Sequence, residues 1–286
     1  MYQPPLLNGL RPSKVMVGNT DKETVGSYLV AKFGPQPKPL KLLDEHGNDL
    51  SLDSALPKLI YVYRQPFAEE PIPFNFEILY EDEHLLIIDK PHFLATIPSG
   101  KHLRETVVTR LRLQGYEDIA PLHRLDRLTA GVVALSKLPK DRRVYSMLFQ
   151  NKQVTKTYEA LAPVSNLKLP YTIENKLVKT KASLQAQIVL GIANSKTVII
   201  SEIPQNNKLS LYTLKPETGK FHQLRAHMNY LGLPILNDTY YPDIQPLPKK
   251  EDFTKPLKLL AKTLAFTDPI TGIHHTFTSK KKLTIA

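Results

Sequence analysis

Short apolar runs of strand length, separated by turn residues, constrain the fold of this chain more than any other feature. Such runs lie at 85–88, 132–135 and 155–163, and others follow at 184–191, 197–203 and 208–216. Segments with helical spacing are fewer, and no regular alternation of strand and helix appears. The sequence therefore predicts an α+β fold whose sheet is mixed and mainly antiparallel.

The helical segments can be placed from their apolar spacing and their end signals. Residues 24–33 have apolar side chains at helical spacing, as do residues 103–115, where Gly115 is expected to end the helix. A further helix is expected to start at Pro139 and to bury Val144, Met147 and Leu148 on one face. The segment 220–234 reads as another helix, which Gly232 is expected to stop.

The chain is predicted to have two domains, an accessory module over 1–73 and a larger domain over 74–286. In the module, residues 41–53 read as strand, turn and strand, with the turn at His46–Asn48, and residues 59–66 read as a further strand. This pattern has a faint similarity to the S4-type RNA-binding domain. The acidic, proline-containing stretch 67–74 is typical of a linker.

Composition narrows the classes of function. The 286 residues carry a net charge of +11, which favours a polyanion as the partner, because lysine and arginine release counterions when they neutralise phosphates. The absence of cysteine excludes disulfides, thiolate nucleophiles and cysteine-ligated metal sites. We find no apolar run of about 18 residues and no secretory signal pattern, so a cytoplasmic protein that does not enter the membrane is expected.

The stretch PLHRLDRLTAGVVALSK, residues 121–137, places Asp126 between Arg124 and Arg127, directly before an apolar run. If Asp126 lies in a cleft, a nearby guanidinium is expected to keep it ionised, and an ionised carboxylate can serve as a nucleophile or a base. The alternative is a surface salt bridge with a neighbouring arginine. Spacing alone favours the salt bridge.

Two other segments carry polar groups of interest. His222 and Arg225 share a helical face, whereas His222 and His227 are five residues apart and lie on different faces, which argues against a zinc site. Thr218 and Gly219 precede this helix, with Thr218 as a possible cap, and the segment reads as a phosphate-binding helix start or as a plain loop. Tyr158 reads as a core residue or as a platform on which a base stacks.

Four stretches together resemble the motifs of the RluA-type pseudouridine synthases. HRLDRLTAGVVALSK is similar to that family's H-R-L-D signature, and YEDEHLLIIDKPHFLATIPSG is similar to its opening hairpin and D-K-P loop. VTKTYEALAP resembles the K-x-Y-x-A strand. LKPETGKFHQLRAHMNYLGLPILNDTYY resembles the T-G-R-x-H-Q-I-R-x-H and G-D-x-x-Y segments. The four occur in the family's order over about residues 74–275.

The resemblance implies the pseudouridine synthase fold, activity on uridine in ribosomal or transfer RNA, and no cofactor or metal. Asp126 would attack or deprotonate the target nucleoside, Tyr158 would pack on the uracil and help remove the C5 proton, and Arg225 would pair with the aspartate. A monomer is expected. Residues implied in substrate binding are His123, Arg124, Thr129, Lys156, Lys220, His222 and Gln223. The sequence departs from the motifs at Leu128, Ala130, Ser136, Lys220, Phe221 and Asn237.

Two alternatives belong to other classes. One is an RNA-binding or assembly factor that keeps the fold without turnover, although such a protein would not need Asp126, Tyr158 and Arg225 together. The other is a glycoside-type hydrolase, which would normally require a second carboxylate near the sugar.

Overall fold

A computed structural model describes residues 2–35, 38–66, 68–180, 183–246 and 250–285. The chain forms two compact units, which we call the N-terminal unit, Met1–Glu69 with Ile97–Glu117, and the large unit, Glu70–Thr96 with Asp118–Ala286. The division into domains at residue 73 stays a prediction. Within the described residues, no helix is both long and apolar enough to span a membrane.

The N-terminal unit contains a three-stranded antiparallel sheet in the order β1–β3–β2, formed by β1 Ser13–Met16, β2 Lys41–Leu43 and β3 Leu59–Tyr63. Helix α1, Val25–Phe33, starts at a capping box in which the Thr24 hydroxyl accepts from the Ser27 amide. Helix α2, Val107–Leu113, also belongs to this unit. Helix α1 confirms the prediction over 24–33. Helix α2 lies within the predicted segment 103–115 but is shorter, since it begins only after the Thr106 cap and its C-cap is Gln114, one residue before Gly115.

One predicted strand of this unit is wrong. After the turn at His46–Asn48, the chain makes a single bridge between Asp49 and Leu43 and forms no second strand. The Asp44 carboxylate accepts from the amides of His46 and Asn48, both at 2.8 Å. Backbone bonds from the Asp44 amide to the Asn48 carbonyl and from the Gly47 amide to the Asp44 carbonyl close the same turn, and the Leu50 amide donates to the Leu42 carbonyl beyond it.

The large unit contains an eleven-stranded sheet, in the order β10–β9–β11–β12–β8–β13–β7–β5–β4, with β14 paired to β13 and β6 paired to β7. Among the pairs of named strands, only β7 and β13 run parallel, so the prediction of an α+β fold with a mixed, mainly antiparallel sheet is confirmed. The elements are β4 Glu77–Glu81, β5 Leu85–Lys90, β6 Ala120–Pro121, β7 Ala130–Ser136, α3 Arg142–Gln150, β8 Thr155–Pro163, β9 Tyr171–Val178, β10 Gln187–Val189, β11 Ser195–Pro204, β12 Leu209–Pro216, α4 Gln223–Tyr230, β13 Leu259–Thr267 and β14 His274–Thr278, with a 3-10 turn at Pro139–Asp141.

A hydrophobic core of the large unit lies on strands β5 and β7, in which every residue is buried. Helix α3 packs on this core with Tyr145 and Leu148. The predicted face is therefore wrong for Val144 and Met147, which are 38% and 40% exposed. Tyr145 takes their place because its hydroxyl donates to the Asp268 carboxylate at 2.8 Å, so the phenol is buried with its polar group satisfied.

The start of β7 fixes the loop that carries the H-R-L-D motif. Gly131 has a φ of +117°, and a Cβ built on it would lie 2.2 Å from the carbonyl oxygen of Ala261 in β13. Only glycine accepts both this backbone conformation and this close approach. The parallel pairing of β7 with β13 therefore depends on Gly131, and Asp126 lies five residues before it.

Candidate active site

One cavity of about 940 Å³ opens in the large unit. Its walls come from the loop before β7, from β8, and from the segment that joins β12 to α4. All ten residues that the sequence analysis selected line this cavity: His123, Arg124, Asp126, Thr129, Lys156, Tyr158, Lys220, His222, Gln223 and Arg225. The fold thus brings together residues that are up to 102 positions apart in the sequence.

Asp126 lies in this cavity with 27% of its side chain exposed. The neighbouring Arg127 bonds to Glu251 at 2.7 Å, so the salt bridge between adjacent residues that spacing favoured is wrong. The cations that act on Asp126 are Arg225, Arg124 and Lys90. Burial nevertheless outweighs them and raises the pKa of Asp126. The expectation that a nearby guanidinium keeps Asp126 ionised stays a prediction.

Arg225, in α4, is 1% exposed and makes its main ion pair with Asp238. Its Nε donates to Asp238 Oδ2 at 2.8 Å and its NH2 donates to Asp238 Oδ1 at 2.5 Å, a two-point contact. The distance from Arg225 NH1 to Asp126 Oδ2 is longer, 3.9 Å. The sequence analysis gave Asp238 no role, although it lies in the motif NDTYY, whose acidic residue was the available signal.

His222 precedes α4 with a φ of 52°, a conformation that is uncommon for a residue other than glycine. Its ring stacks between Phe221, at a centroid distance of 3.7 Å, and Tyr240, at 5.6 Å. Burial and Arg225 lower the pKa of His222 to about 2, so the ring is neutral. Because Arg225 NH1 donates to Nε2 at 3.0 Å, the proton of the neutral ring is assigned to Nδ1.

The residues around His222 hold the cavity wall in place. Thr218 does not cap α4, contrary to one sequence-based reading. Its hydroxyl instead accepts from the Lys196 amide and donates to Gln223 Oε1. The amide group of Gln223 donates to the carbonyl of Lys196 and to the hydroxyl of Thr197. The functional groups of the Gln223 side chain are therefore engaged in tying the β12–α4 connection to β11, and its role in substrate binding stays a prediction.

His227 is also held by hydrogen bonds within the protein. Its ring nitrogens lie 3.0 Å from the Thr197 hydroxyl and 3.1 Å from the Ser195 hydroxyl. Burial lowers the pKa of His227 to about 4. In the described part of the chain, no cluster of histidine, cysteine and acidic residues has the arrangement of a metal site.

Tyr158 and Lys156 lie two residues apart on β8 and both line the cavity. Burial and the charge of Asp126 raise the pKa of Tyr158, so its phenol stays protonated. Burial also lowers the pKa of Lys156. Tyr158 therefore presents a ring and a hydroxyl beside a carboxylate, and the removal of the C5 proton by this hydroxyl stays a prediction.

Lys90 is a second residue that the sequence analysis left without a role. It is fully buried, and its Nζ donates to the carbonyl oxygens of Pro91 at 3.0 Å, Leu94 at 2.8 Å and Arg127 at 3.3 Å. These bonds connect the D-K-P loop to the residue that follows Asp126. Burial lowers the pKa of Lys90 to about 7, although the charge of Asp126 opposes this shift.

The rim of the cavity is basic. Arg124 is exposed there, and the lysines that line the cavity are Lys152, Lys156, Lys215 and Lys220. The acidic lining residues are Asp126 and Glu217, and Glu217 pairs with Lys196 at 3.1 Å. An excess of cations around one central carboxylate suits a substrate that carries phosphates on either side of the reacting group.

The family model described as RNA pseudouridylate synthase matches residues 84–230, which is more than half of the chain. The chain belongs to the RNA pseudouridylate synthase family. It is therefore an RNA pseudouridine synthase, an isomerase, as the four sequence motifs predicted.

Individual synthases agree with this assignment. The chain is 34% identical over 213 residues to the tRNA pseudouridine synthase C of Pasteurella multocida, covering 69% of this chain and 88% of that protein. It is 28% identical to the dual-specificity RNA pseudouridine synthase RluA of Haemophilus influenzae, covering 73% and 95%. The mitochondrial tRNA pseudouridine(32) synthase of Saccharomyces cerevisiae is 30% identical over 69% of this chain, and the match spans 45% of that longer protein.

The fold of the synthase is also found in solved structures. Human RNA pseudouridylate synthase domain containing 1 superposes with a TM-score of 0.58 at 21% identity, covering 72% of this chain and 84% of that one. Human RNA pseudouridylate synthase domain containing 4 gives a TM-score of 0.55 at 24% identity, covering 72% and 88%. These matches confirm the predicted pseudouridine synthase fold.

Several departures of this synthase from the family motifs have a physical explanation. Asn237, at the position of a motif glycine, has a φ of 62°, which asparagine tolerates better than most residues, and its side chain donates to the Pro256 carbonyl. Leu128 is buried, and its carbonyl oxygen lies 2.6 Å from His92 Nδ1. Phe221 stacks on His222, and Lys179 Nζ lies 3.9 Å from the centre of the Phe221 ring. This is a cation–π contact.

Proposed function

We propose that this synthase converts uridine to pseudouridine in transfer or ribosomal RNA, with Asp126 as the catalytic carboxylate. The observation that carries the proposal is the position of Asp126. It is a partly exposed carboxylate in a cavity that Tyr158 and Arg225 also line, within a basic rim. Curated relatives named as tRNA and ribosomal large subunit synthases support RNA of these classes as the substrate. The cytoplasmic location stays a prediction.

The reaction needs the target base outside its stack, because a base within a helix cannot reach a recessed carboxylate. The cavity, at about 940 Å³, has room for a flipped nucleoside. Arg124 is exposed at its edge and is positioned to act on the RNA that the uridine leaves. The lysines of the rim would bind the flanking phosphates.

The proposed steps use these residues as follows. Asp126 attacks or deprotonates the nucleoside, and the bond between N1 of uracil and C1′ breaks. The released uracil turns while Tyr158 provides a flat wall, and a new bond forms between C5 and C1′. If Asp126 has attacked C1′, its ester bond to that carbon breaks as the new bond forms. If it has removed a proton from the sugar, that proton is returned, so the carboxylate is regenerated in both cases. The proton on C5 leaves and N1 gains a proton, so the product is an isomer of the substrate.

The test is release of tritium from RNA labelled at uracil C5. Wild-type protein is expected to release tritium, whereas Asp126→Asn should release none above background and bind the same RNA with nearly unchanged affinity. Loss of a nucleophile or base removes orders of magnitude of rate. Turnover by Asp126→Asn within tenfold of wild type would contradict the proposed role of Asp126.

Two other outcomes point to the alternative classes. Tight RNA binding by wild-type protein without tritium release from either transfer or ribosomal RNA would indicate an RNA-binding factor. Release of free uracil, with an abasic site in the RNA, would indicate a hydrolase.

A further inference from the structure

The guanidinium of Arg225 lies between the carboxylates of Asp238 and Asp126 and interacts with Asp238 more strongly. Asp238 receives two hydrogen bonds, from Nε at 2.8 Å and from NH2 at 2.5 Å. Asp126 lies 3.9 Å from NH1, which is beyond hydrogen-bonding distance. The single positive charge of Arg225 is therefore compensated mainly by Asp238.

Asp238 is built into the protein interior and does not reach the substrate. Its side chain has no exposed surface, and it is absent from the residues that line the cavity. Its Oδ1 also accepts from the amides of Tyr240 at 2.8 Å and Tyr241 at 3.2 Å. Asp238 therefore affects the reaction without touching the substrate, through its charge or through another residue.

Arg225 is the residue through which Asp238 can act. Its NH1 is held by His222 Nε2 at 3.0 Å, and its guanidinium carbon lies 5.0 Å from the ring centre of Tyr240 and 5.5 Å from that of Tyr241. Asp238, His222 and the two tyrosine rings thus hold the guanidinium in one orientation. In this orientation NH1 points towards both His222 and Asp126.

We propose, on the basis of the function proposed above, that Asp238 is a positioning residue of the reaction. It fixes the guanidinium of Arg225 and neutralises its charge, so that Arg225 orients Asp126 without strongly stabilising its ionised form. An arginine without a partner at this distance would make the carboxylate a weaker base and a weaker nucleophile.

The remaining groups around Asp126 do not replace this effect. His222 is neutral, and the phenol of Tyr158 is protonated, so neither contributes a charge. The charged and titratable groups that act on Asp126 come from every element around it: Arg124 in its own loop, Lys90 in β5, Tyr158 in β8, His222 and Arg225 at α4, and Asp238 and Tyr241 after α4. Besides Asp126 itself, Asp238 is the carboxylate in this set, so it is the group here that can compensate the charge of Arg225.

The experiment is the pH dependence of single-turnover tritium release by wild type and by Asp238→Asn. The amide keeps the shape of the side chain and removes its charge. The acid limb of the profile is expected to move about one pH unit lower in Asp238→Asn, because Arg225 then stabilises ionised Asp126. The plateau rate is expected to fall roughly three- to tenfold, since a weaker base transfers or attacks more slowly. RNA affinity should change less than twofold.

Asp243→Asn is the matched control, because Asp243 is exposed, lies five residues further along the same segment and undergoes the same change of charge. It should keep the wild-type profile. A folded Asp238→Asn whose acid limb coincides with that of wild type would overturn the proposal, even if its rate were lower, since a purely structural defect lowers the rate without moving the limb.

A measurement on unsubstituted protein covers the case in which Asp238→Asn does not fold. The 13Cγ titration of Asp126, assigned by its absence from Asp126→Asn, is expected to have its midpoint above 3.8, the ordinary value for aspartate. A midpoint below 3.8 would show that Arg225 acts on Asp126 without compensation and would overturn the proposal. This titration needs no turnover, so failure of the proposed function is recognised separately, as absence of tritium release by wild type.

Discussion

Replacing Gly131 by alanine tests how the loop of Asp126 is anchored. The added Cβ would lie 2.2 Å from the carbonyl oxygen of Ala261 and 2.7 Å from both its carbonyl carbon and its amide nitrogen. All three are backbone atoms of β13, so no side chain can rotate away. Either β7 or β13 must shift by about 1 Å, because ordinary carbon contacts begin near 3.5 Å.

The cost of Gly131→Ala has two parts. A residue with a Cβ at a φ of +117° carries strain of about 1–3 kcal/mol. Overpacking against a rigid neighbour adds about 1–3 kcal/mol. The sum, about 2–6 kcal/mol, is a large part of the 5–15 kcal/mol that stabilises a typical protein. At about 2–4 °C per kcal/mol for a unit of this size, the midpoint of thermal unfolding should fall by at least about 4 °C.

The assay combines thermal unfolding, followed by circular dichroism, with tritium release at 20 °C. Gly131→Ala is expected to melt early and to lose most of its activity even where it is folded, because movement of β7 displaces Asp126. The control is Gly18→Ala in the N-terminal unit, where a Cβ would meet no atom within 4 Å. A Gly131→Ala protein that melts and reacts like wild type would refute the role assigned to this close approach.

Four other predictions can be checked with the same protein. Tyr158→Phe should bind RNA normally yet stall after the glycosidic bond breaks. Tyr158→Ala should in addition bind the RNA more weakly, since stacking contributes roughly 1–3 kcal/mol. Full product formation by a stable Tyr158→Phe would show that the hydroxyl has no chemical role. Tyr145→Phe should lose about 1.5–3 kcal/mol of unfolding free energy in urea denaturation, because the Asp268 carboxylate no longer accepts a hydrogen bond from the buried Tyr145 hydroxyl. An unchanged denaturation midpoint would contradict this. Burial lowers the pKa of His227 to about 4, so the unfolded chain binds a proton below pH 6.5 that the folded chain does not. The free energy of unfolding should therefore fall as the pH drops from about 6.5 to 4, by up to roughly 1.4 kcal/mol per pH unit for this residue. This slope should be shallower in His227→Gln, and an equally steep slope in that variant would contradict the assignment. RNA affinity should decrease steeply with salt, with a slope in log–log form of about 0.7 per phosphate contacted by a single strand, and a flat response would show that the net charge of +11 acts away from the RNA.

Much of the lining of the cavity could be predicted from local sequence, because its residues lie in motifs whose order and spacing are themselves local properties. The strands β5, β7 and β8 follow from short apolar runs, and helix α4 follows from its spacing and from Gly232. The resemblance selected residues from three separate motifs, and the fold places all of them around one cavity. Which face of α3 is buried could not be read from apolar spacing, since Tyr145 is buried through its bond to Asp268, 123 residues away.

The strands β9, β13 and β14 escaped the sequence analysis, and β13 is the strand that joins β7 to β8 in the sheet. Its position depends on a parallel pairing between distant segments, which no local period encodes. The choice of ion-pair partners also depends on the tertiary structure. The sequence places Arg127 beside Asp126, yet Arg127 bonds to Glu251, and Arg225 bonds to Asp238. The sequence thus determined which chemical groups line the cavity, whereas tertiary packing decided which of its charged groups form ion pairs. The reason is that a buried ion pair depends on distance and orientation in space and not on separation along the chain.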